Sequence, residues 1–303
     1  MTRANPKGIG LGFRFELAQE LLQSSHTHAQ FVEIAPENYL HTGGWRRRLL
    51  DQAKERFSIA CHGLCGDLAG VQGVDKAQLL QLKSFLNQYD VAWYSDHLCY
   101  TSTAVAHIHD LVPLPFCQES IERAATRIQQ VQETLQMPLA IENISAYMRM
   151  HPHDMSEQAF VSAVATQANC PILLDINNVY VNARNFGFDP KHYIDELPLQ
   201  RVIQVHVAGH EQREPDLLID SHGEDIIDPV YDLLRYALTK MPHQPPVLLE
   251  RDNNIPPLTH LEQELKRLKT IWQEVYNTRH DHTPMHSGQH TASTPVCEAT
   301  NPA

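Results

Sequence analysis

Pro171-Ile172-Leu173-Leu174-Asp175-Ile176-Asn177-Asn178 is an unbroken apolar run closed by an acid and two amides. A strand covered on both faces reads this way, because neither parity of side chains meets water. Val247-Leu248-Leu249-Glu250 repeats the pattern near the end of the chain. Working outward from these two, eight strands are expected at residues 8–13, 31–35, 57–62, 91–97, 138–142, 171–176, 201–207 and 246–250. Amphipathic segments follow them at 16–23, 45–56, 76–88, 118–136, 156–167, 191–196, 229–238 and 261–276. Eight β-then-α units predict a closed (β/α)8 TIM barrel of the α/β class rather than an open doubly wound sheet. Gly8-Ile9-Gly10-Leu11-Gly12 lies inside the first expected strand, so it is not a dinucleotide-binding turn.

The 303 residues suit one barrel domain, expected over 1–276, and 42% hydrophobic content suffices for its core. From 277 to 303 the chain turns polar, with His280, His282, His286 and His290 among Ser, Thr and Pro, and is expected to be a disordered His-rich tail carrying no site. A net charge of −12 argues against a nucleic-acid partner. No run approaches the ~20 apolar residues of a membrane span, and Arg3 and Lys7 precede no apolar signal core, so no membrane association is expected. Six cysteines without a CxxC pair fit reduced thiols in a cytoplasm. The 19 histidines exceed what core packing or solubility asks for.

In a (β/α)8 barrel the chemistry sits where the strands end. Strands three to eight end on or one residue beyond His62, His97, Glu142, Asp175, His206 and Glu250. Asn178 follows Asp175, and the loop after strand seven adds Asp220 and His222, an Asp-x-His pair whose alternation in an extended segment would send both side chains one way. Any one of these reads equally well as a satisfied core histidine or a capping carboxylate. The set does not, because acids and imidazoles converging on one cavity need cations to offset their charge and desolvation. Nine N and O ligands exceed the needs of one ion, so two or three metals are expected, with Glu142 able to bridge; imidazole with carboxylate suits iron, manganese and zinc alike. Glu142, His97 and Asp175 are expected closest to the chemistry. Asn143, His210 and Asp110 are expected behind the ligands or against substrate. His107 and His109 are read as loop residues near substrate, Arg46-Arg47-Arg48 as a solvated helix face, Cys61 as facing the helices, and Cys65 as structural.

With these pieces assembled, the chain resembles the multinuclear non-haem iron-dependent oxidases, first defined as a domain of unknown function. The resemblance rests on Gly8-Ile9-Gly10-Leu11-Gly12-Phe13-Arg14, Glu33-Ile34-Ala35-Pro36-Glu37-Asn38-Tyr39, Cys61-His62-Gly63, Ser95-Asp96-His97-Leu98 and His109-Asp110-Leu111-Val112-Pro113-Leu114-Pro115. It continues through Ile141-Glu142-Asn143, Asp175-Ile176-Asn177-Asn178-Val179-Tyr180, His206-Val207-Ala208-Gly209-His210, Asp220-Ser221-His222-Gly223 and Leu249-Glu250-Arg251-Asp252. It implies two or three iron ions and O2 as oxidant. His62 and His97 would hold one iron, with Glu142 bridging; Asp175, Asn178, His206 and Glu250 the central positions; Asp220 and His222 the remaining iron. Similar enzymes modify cysteines of ribosomally synthesised peptides, for example into oxazolone or thiooxazole groups, with a small partner protein presenting the precursor.

Two other classes share the ligand pattern. One is a metal-dependent hydrolase or isomerase of the endonuclease IV or xylose isomerase kind, although the acidic charge disfavours DNA and the strand ends lack the lysine a sugar isomerase would show. The other is a non-catalytic metal-binding protein, which would need no cavity wide enough for a peptide.

Overall fold

The computed structural model describes residues 5–281 except 65, 71, 72, 74, 104 and 105, so Cys65 and the tail from 282 onward lie outside the described residues. Eight parallel strands close into a barrel, numbered here in chain order: β1 Ile9–Gly12, β2 Phe31–Ile34, β3 Ser58–His62, β4 Tyr94–His97, β5 Leu139–Glu142, β6 Ile172–Asp175, β7 Val202–Val207 and β8 Val247–Leu249. Each pairs with the next and β8 returns to β1, as the α/β pattern predicted. The outer helices include α1 Phe15–Gln23, α2 Gly44–Arg56, α3 Lys76–Gln88, α4 Gln118–Leu135, α5 Glu157–Gln167, α6 Ile176–Phe186, α7 Asp228–Lys240 and α8 Leu258–Asp281. Helix α8 runs past the boundary expected at 276, and His280 stands on its last turn.

Side-chain alternation along the strands builds two cores. Val32, Ile34, Ile59, Cys61, Leu174 and Leu249 point outward into the main apolar core, against helix residues such as Leu17, Leu50 and Leu265. Cys61 thus faces the helices, as its place beside His62 required. Phe31, Ala60 and Leu248, of the opposite parity, form a small separate plug inside the barrel. Gly10 makes room for it: a Cβ there would stand 2.4 Å from the Phe31 ring. That close approach accounts for the glycine at position 10.

The sequence reading missed three local features. Helix α6 starts directly at the end of β6, in Ile176-Asn177-Asn178, where the next amphipathic segment was expected only at 191. Asp175 caps it, its side chain accepting from Asn178 N, and Asn182 and Asn185 spend their amides on residues 144, 146 and 218 rather than on their own helix. Second, two antiparallel hairpins stand over the barrel's carboxyl end, Tyr100–Ser102 with His107–Val112 and Glu211–Glu214 with Leu217–Ile219. His107, His109 and Asp110 therefore lie on a strand, not in a loop; the side chains of the two histidines are outside the described residues. Third, the arginines of α2 do more than meet solvent. Arg47 donates to Gln88 Oε1 at 2.6 Å and lies over the Tyr89 ring, while Arg46 covers Phe15.

Candidate metal centre

All six expected strand ends deliver their side chains to one mouth, but not at one height. His97 is in register with Glu142 and Asp175 with His206, whereas His62 pairs with Ser95, two residues short of His97. The stagger is the shear of a closed barrel, and it spreads the ligands into overlapping groups. His62, His97 and Glu142 offer ligand atoms all within 4.8 Å of one another; so do Glu142, Asp175, His206 and Glu250, and so do His222, Glu250 and Asp252. Glu142 joins the first two groups and Glu250 the last two.

The distances within the groups are short. His62 Nε2 lies 3.0 Å from Glu142 Oε2 and 3.1 Å from His97 Nε2, which is itself 3.2 Å from Glu142 Oε2. His206 Nδ1 lies 3.3 Å from Glu142 Oε1 and 3.2 Å from Glu250 Oε2. His222 Nε2 is 2.8 Å from Asp220 Oδ1, and its Nδ1 is 3.2 Å from Asp252 Oδ2. Asp220 and His222 do face one another, though not by strand alternation: His222 sits in a turn at φ 50°, in the left-handed region where a non-glycine residue is strained.

The electrostatics describe a site prepared for cations. Burial alone would discharge His62, but Glu142 and Glu33 outweigh it and hold the imidazolium up to about 9. His206 likewise stays well above its ordinary value despite burial, through Glu33 and Glu250. His97, buried beside His62, is pushed down to about 4. Asp175 is driven well above the carboxylate range by burial and by Glu142. Ten buried side-chain N and O atoms among the described residues have no partner at both the distance and the angle of a hydrogen bond, and six are here: His97 Nδ1, Glu142 Oε2, Asp175 Oδ2, Asn178 Oδ1, His206 Nδ1 and His222 Nε2. A buried orphan costs about 1–3 kcal/mol, so this concentration fits lone pairs reserved for metal ions.

The outer hydrogen bonds set which lone pairs face inward. Ser95 Oγ donates to Cys61 O at 3.3 Å, so it accepts from His62 Nδ1 at 3.0 Å, leaving His62 Nε2 for the centre. Asn143 clamps Asp175, its side chain bonding both the N–H and the C=O of that residue, and its own carbonyl accepts from Asn178 Nδ2. His210 Nδ1 bonds Asn177 Oδ1 at 2.7 Å, and Asn177 Nδ2 donates to Asp220 Oδ1 at 2.7 Å, placing His210 two links behind Asp220. Asp110 lines the cavity but joins none of the three groups. Gly63 makes room beside His62, because a Cβ there would stand 1.7 Å from Tyr94 Oη.

Sequence reasoning missed Glu33, Asp252 and Arg14. Glu33 lies within 3.1 Å of His206 Nε2, and Arg14 Nε donates to Asp252 Oδ1 at 2.8 Å. A buried acid at Glu33, inside the apolar β2, was the available signal. Above the groups opens a cavity of about 810 Å3, walled by Leu64, Ile108, Leu111 and Tyr147 as well as by His62, His97, His222 and Glu250. No lysine lines it among the described residues.

A (β/α)8 barrel with linked histidine and carboxylate groups at its open mouth is a metal-dependent barrel enzyme in form. Residues 8–273 match the model of the RiPP precursor modification enzyme family MbnB/TglH/ChrH, and the chain belongs to that family. It is similar to a UPF0276 protein of Neisseria meningitidis serogroup B, at 42% identity over 86% of this chain and 93% of the relative. A UPF0276 protein of Haemophilus influenzae is 38% identical over 90% of this chain and 97% of its own length. Among solved structures, a xylose isomerase-like TIM barrel protein from Mycobacterium smegmatis in complex with magnesium superposes with a TM-score of 0.60 at 10% identity, covering 89% of this chain and 97% of that one. That likeness concerns the fold. No helix among the described residues is long and apolar enough to cross a membrane.

Proposed function

We propose that this enzyme holds two or three iron ions at the barrel mouth and uses O2 to oxidise cysteine residues of a ribosomally synthesised peptide, giving oxazolone or thiooxazole-type products. A small partner protein would present the precursor. The observation that carries the reading is the family's ligand series folded into three linked groups beneath a cavity of about 810 Å3. His62 and His97 would hold one ion, Asp175, Asn178, His206 and Glu250 a central one, and His222 with Asp220 a third, with Glu142 bridging the first two.

Bound iron would supply a Lewis acid that lowers the pKa of a cysteine thiol and the electrons that O2 chemistry requires. The chain's own part is positioning. Leu64, Ile108, Leu111 and Tyr147 offer apolar walls that shed water from a bound side chain, and the carboxylates beneath hold the positive charge in place. Such a cavity favours catalysis over plain metal storage. Its lack of a lysine among the described residues weighs against the sugar-isomerase reading.

The test is to search the neighbouring genes for a short cysteine-containing precursor and a partner, co-express them in iron-replete aerobic culture, and weigh the peptide by mass spectrometry. A mass change is expected, lost site by site when each precursor cysteine becomes serine, because a hydroxyl is a far poorer metal ligand than a thiolate. A serine peptide modified as readily would remove thiolate chemistry and favour a hydrolase.

A further inference from the structure

We infer that Glu33, outside the ligand set, selects the nitrogen that His206 presents to the metal centre, through a one-way hydrogen-bond chain beginning at Trp93. This rests on reading the mouth as a metal centre, and on nothing about the reaction performed there.

The chain has a direction because its first member can only donate. Trp93 Nε1 reaches Gln204 Oε1 at 3.2 Å, which pins the amide with its oxygen toward the indole. Gln204 Nε2 then faces Glu33 Oε2 at 2.5 Å and donates to it. Glu33 is left to accept from His206 Nε2, 3.1 Å from its Oε1 and 3.3 Å from its Oε2. Gln204 Nε2 also lies 3.0 Å from His206 Nε2, a contact that would favour the opposite tautomer; the two Glu33 oxygens, which only accept, face the same nitrogen and favour the proton there. With its proton on Nε2, His206 offers the Nδ1 lone pair to the space between Glu142 and Glu250, where that atom has no hydrogen-bond partner.

All four residues are buried: Gln204 and His206 are 0% exposed, Glu33 4% and Trp93 8%. Water therefore does not compete for these bonds, and the low dielectric strengthens them. Each member comes from the inward parity of its strand or strand entry, Glu33 on β2, Gln204 and His206 on β7, Trp93 just before β4. The barrel thus runs a polar line from its floor to its metal mouth. Glu33 is a positioning residue, and its loss frees the ring to change tautomer rather than removing a ligand.

The experiment uses full-length protein with 15N-labelled histidine, loaded with zinc as a diamagnetic probe. Long-range 1H–15N spectra of the wild type are expected to show His206 protonated at Nε2 and metal-bound at Nδ1. Glu33→Gln should weaken zinc binding by about 10- to 100-fold, as losing such an outer partner does, and should disturb that His206 pattern. Glu33→Asp, still an acceptor-only carboxylate, should restore much of both. Trp93→Phe, a milder change that keeps the ring, should shift the His206 signals in the same direction and guards against a Glu33→Gln variant that fails to fold. Wild-type zinc affinity in Glu33→Gln with an unchanged His206 pattern would overturn the inference, as would a wild type bound through Nε2. A wild type that takes up neither zinc nor iron would sink the metal reading itself, a separate result.

Discussion

Glu142 shows how one side chain can carry a site. It is 2% exposed and touches His62, His97 and His206. Burial should raise its pKa, yet the imidazoles hold it well below the carboxylate range. From the ligand list alone, removing this charge would seem to relieve repulsion in the metal-free protein. The geometry says otherwise, because its nearest neighbours are imidazoles rather than acids. Glu142→Gln is therefore expected to lower bound metal by at least one ion per chain, to abolish turnover, and to lower the metal-free melting temperature. Metal analysis, peptide mass and calorimetry read these separately. Full metal content with undiminished turnover would show that the bridge is misplaced.

At the scale of elements, the loop after β7 depends on Arg251. Strand alternation turns Glu250 and Asp252 to the mouth and Arg251 the other way, toward α8. There its guanidinium, 3% exposed, donates to Gly223 O and Asp225 Oδ1 at 2.7 Å and meets Glu264 at 3.3 Å. Glu264 also accepts from Ile226 N at 2.8 Å, so one buried pair ties residues 223–226 to α8. Breaking a buried pair from one side costs about 3–5 kcal/mol. Arg251→Met should fall near the lower end of that range in urea unfolding, and should loosen metal held at His222 before metal held at His62. A change under 1 kcal/mol, roughly the worth of an exposed pair, would show the loop to be held by other contacts.

Helix α5 carries a second testable charge. Burial lifts Glu157 to about 7, although Tyr193 Oη and Asn182 Nδ2 both donate to it. A carboxyl whose folded pKa lies above its unfolded value binds more protons in the folded state, so stability declines as pH rises between the two values. The window here runs from the ordinary 4.5 to about 7. Between pH 5 and pH 8 the melting temperature of Glu157→Gln should therefore gain on that of the wild type. Parallel pH profiles for the two proteins would place the Glu157 carboxyl in the ordinary range.

For the whole molecule, the proposed metal centre joins strands from around the barrel, so occupancy should report on global stability. An ion at a thousand times its dissociation constant adds about 4 kcal/mol to the folded state. Chelation is expected to lower the melting temperature by several degrees, and anaerobic ferrous iron to restore it. A melting curve indifferent to chelator and iron would mean that the mouth holds no ion in solution.

Much of this architecture was already legible in the chain. Continuous apolar runs such as Ile172-Leu173-Leu174 reveal strands buried on both faces, and eight of them with intervening helices leave few other folds. The place where each strand ends also reveals which residue reaches the open mouth, which is why His62, His97, Glu142, Asp175, His206 and Glu250 could be named together, and parity adds that Cys61 faces the helices. What parity cannot give is the shear between strands, and shear decides which of these side chains come within reach of one another. Only the closed barrel sets His62 and His97 apart from the group around His206, with Glu142 shared between the two, and brings Glu33 across from β2 to β7. Helix α6 likewise forms against the local preference of its asparagines, because residues distant in sequence accept and donate the bonds those amides would otherwise spend on a turn. Periodicity and residue chemistry are local and survive in the sequence; register, tautomer and the pairing of amides belong to contacts that exist only once the barrel has closed.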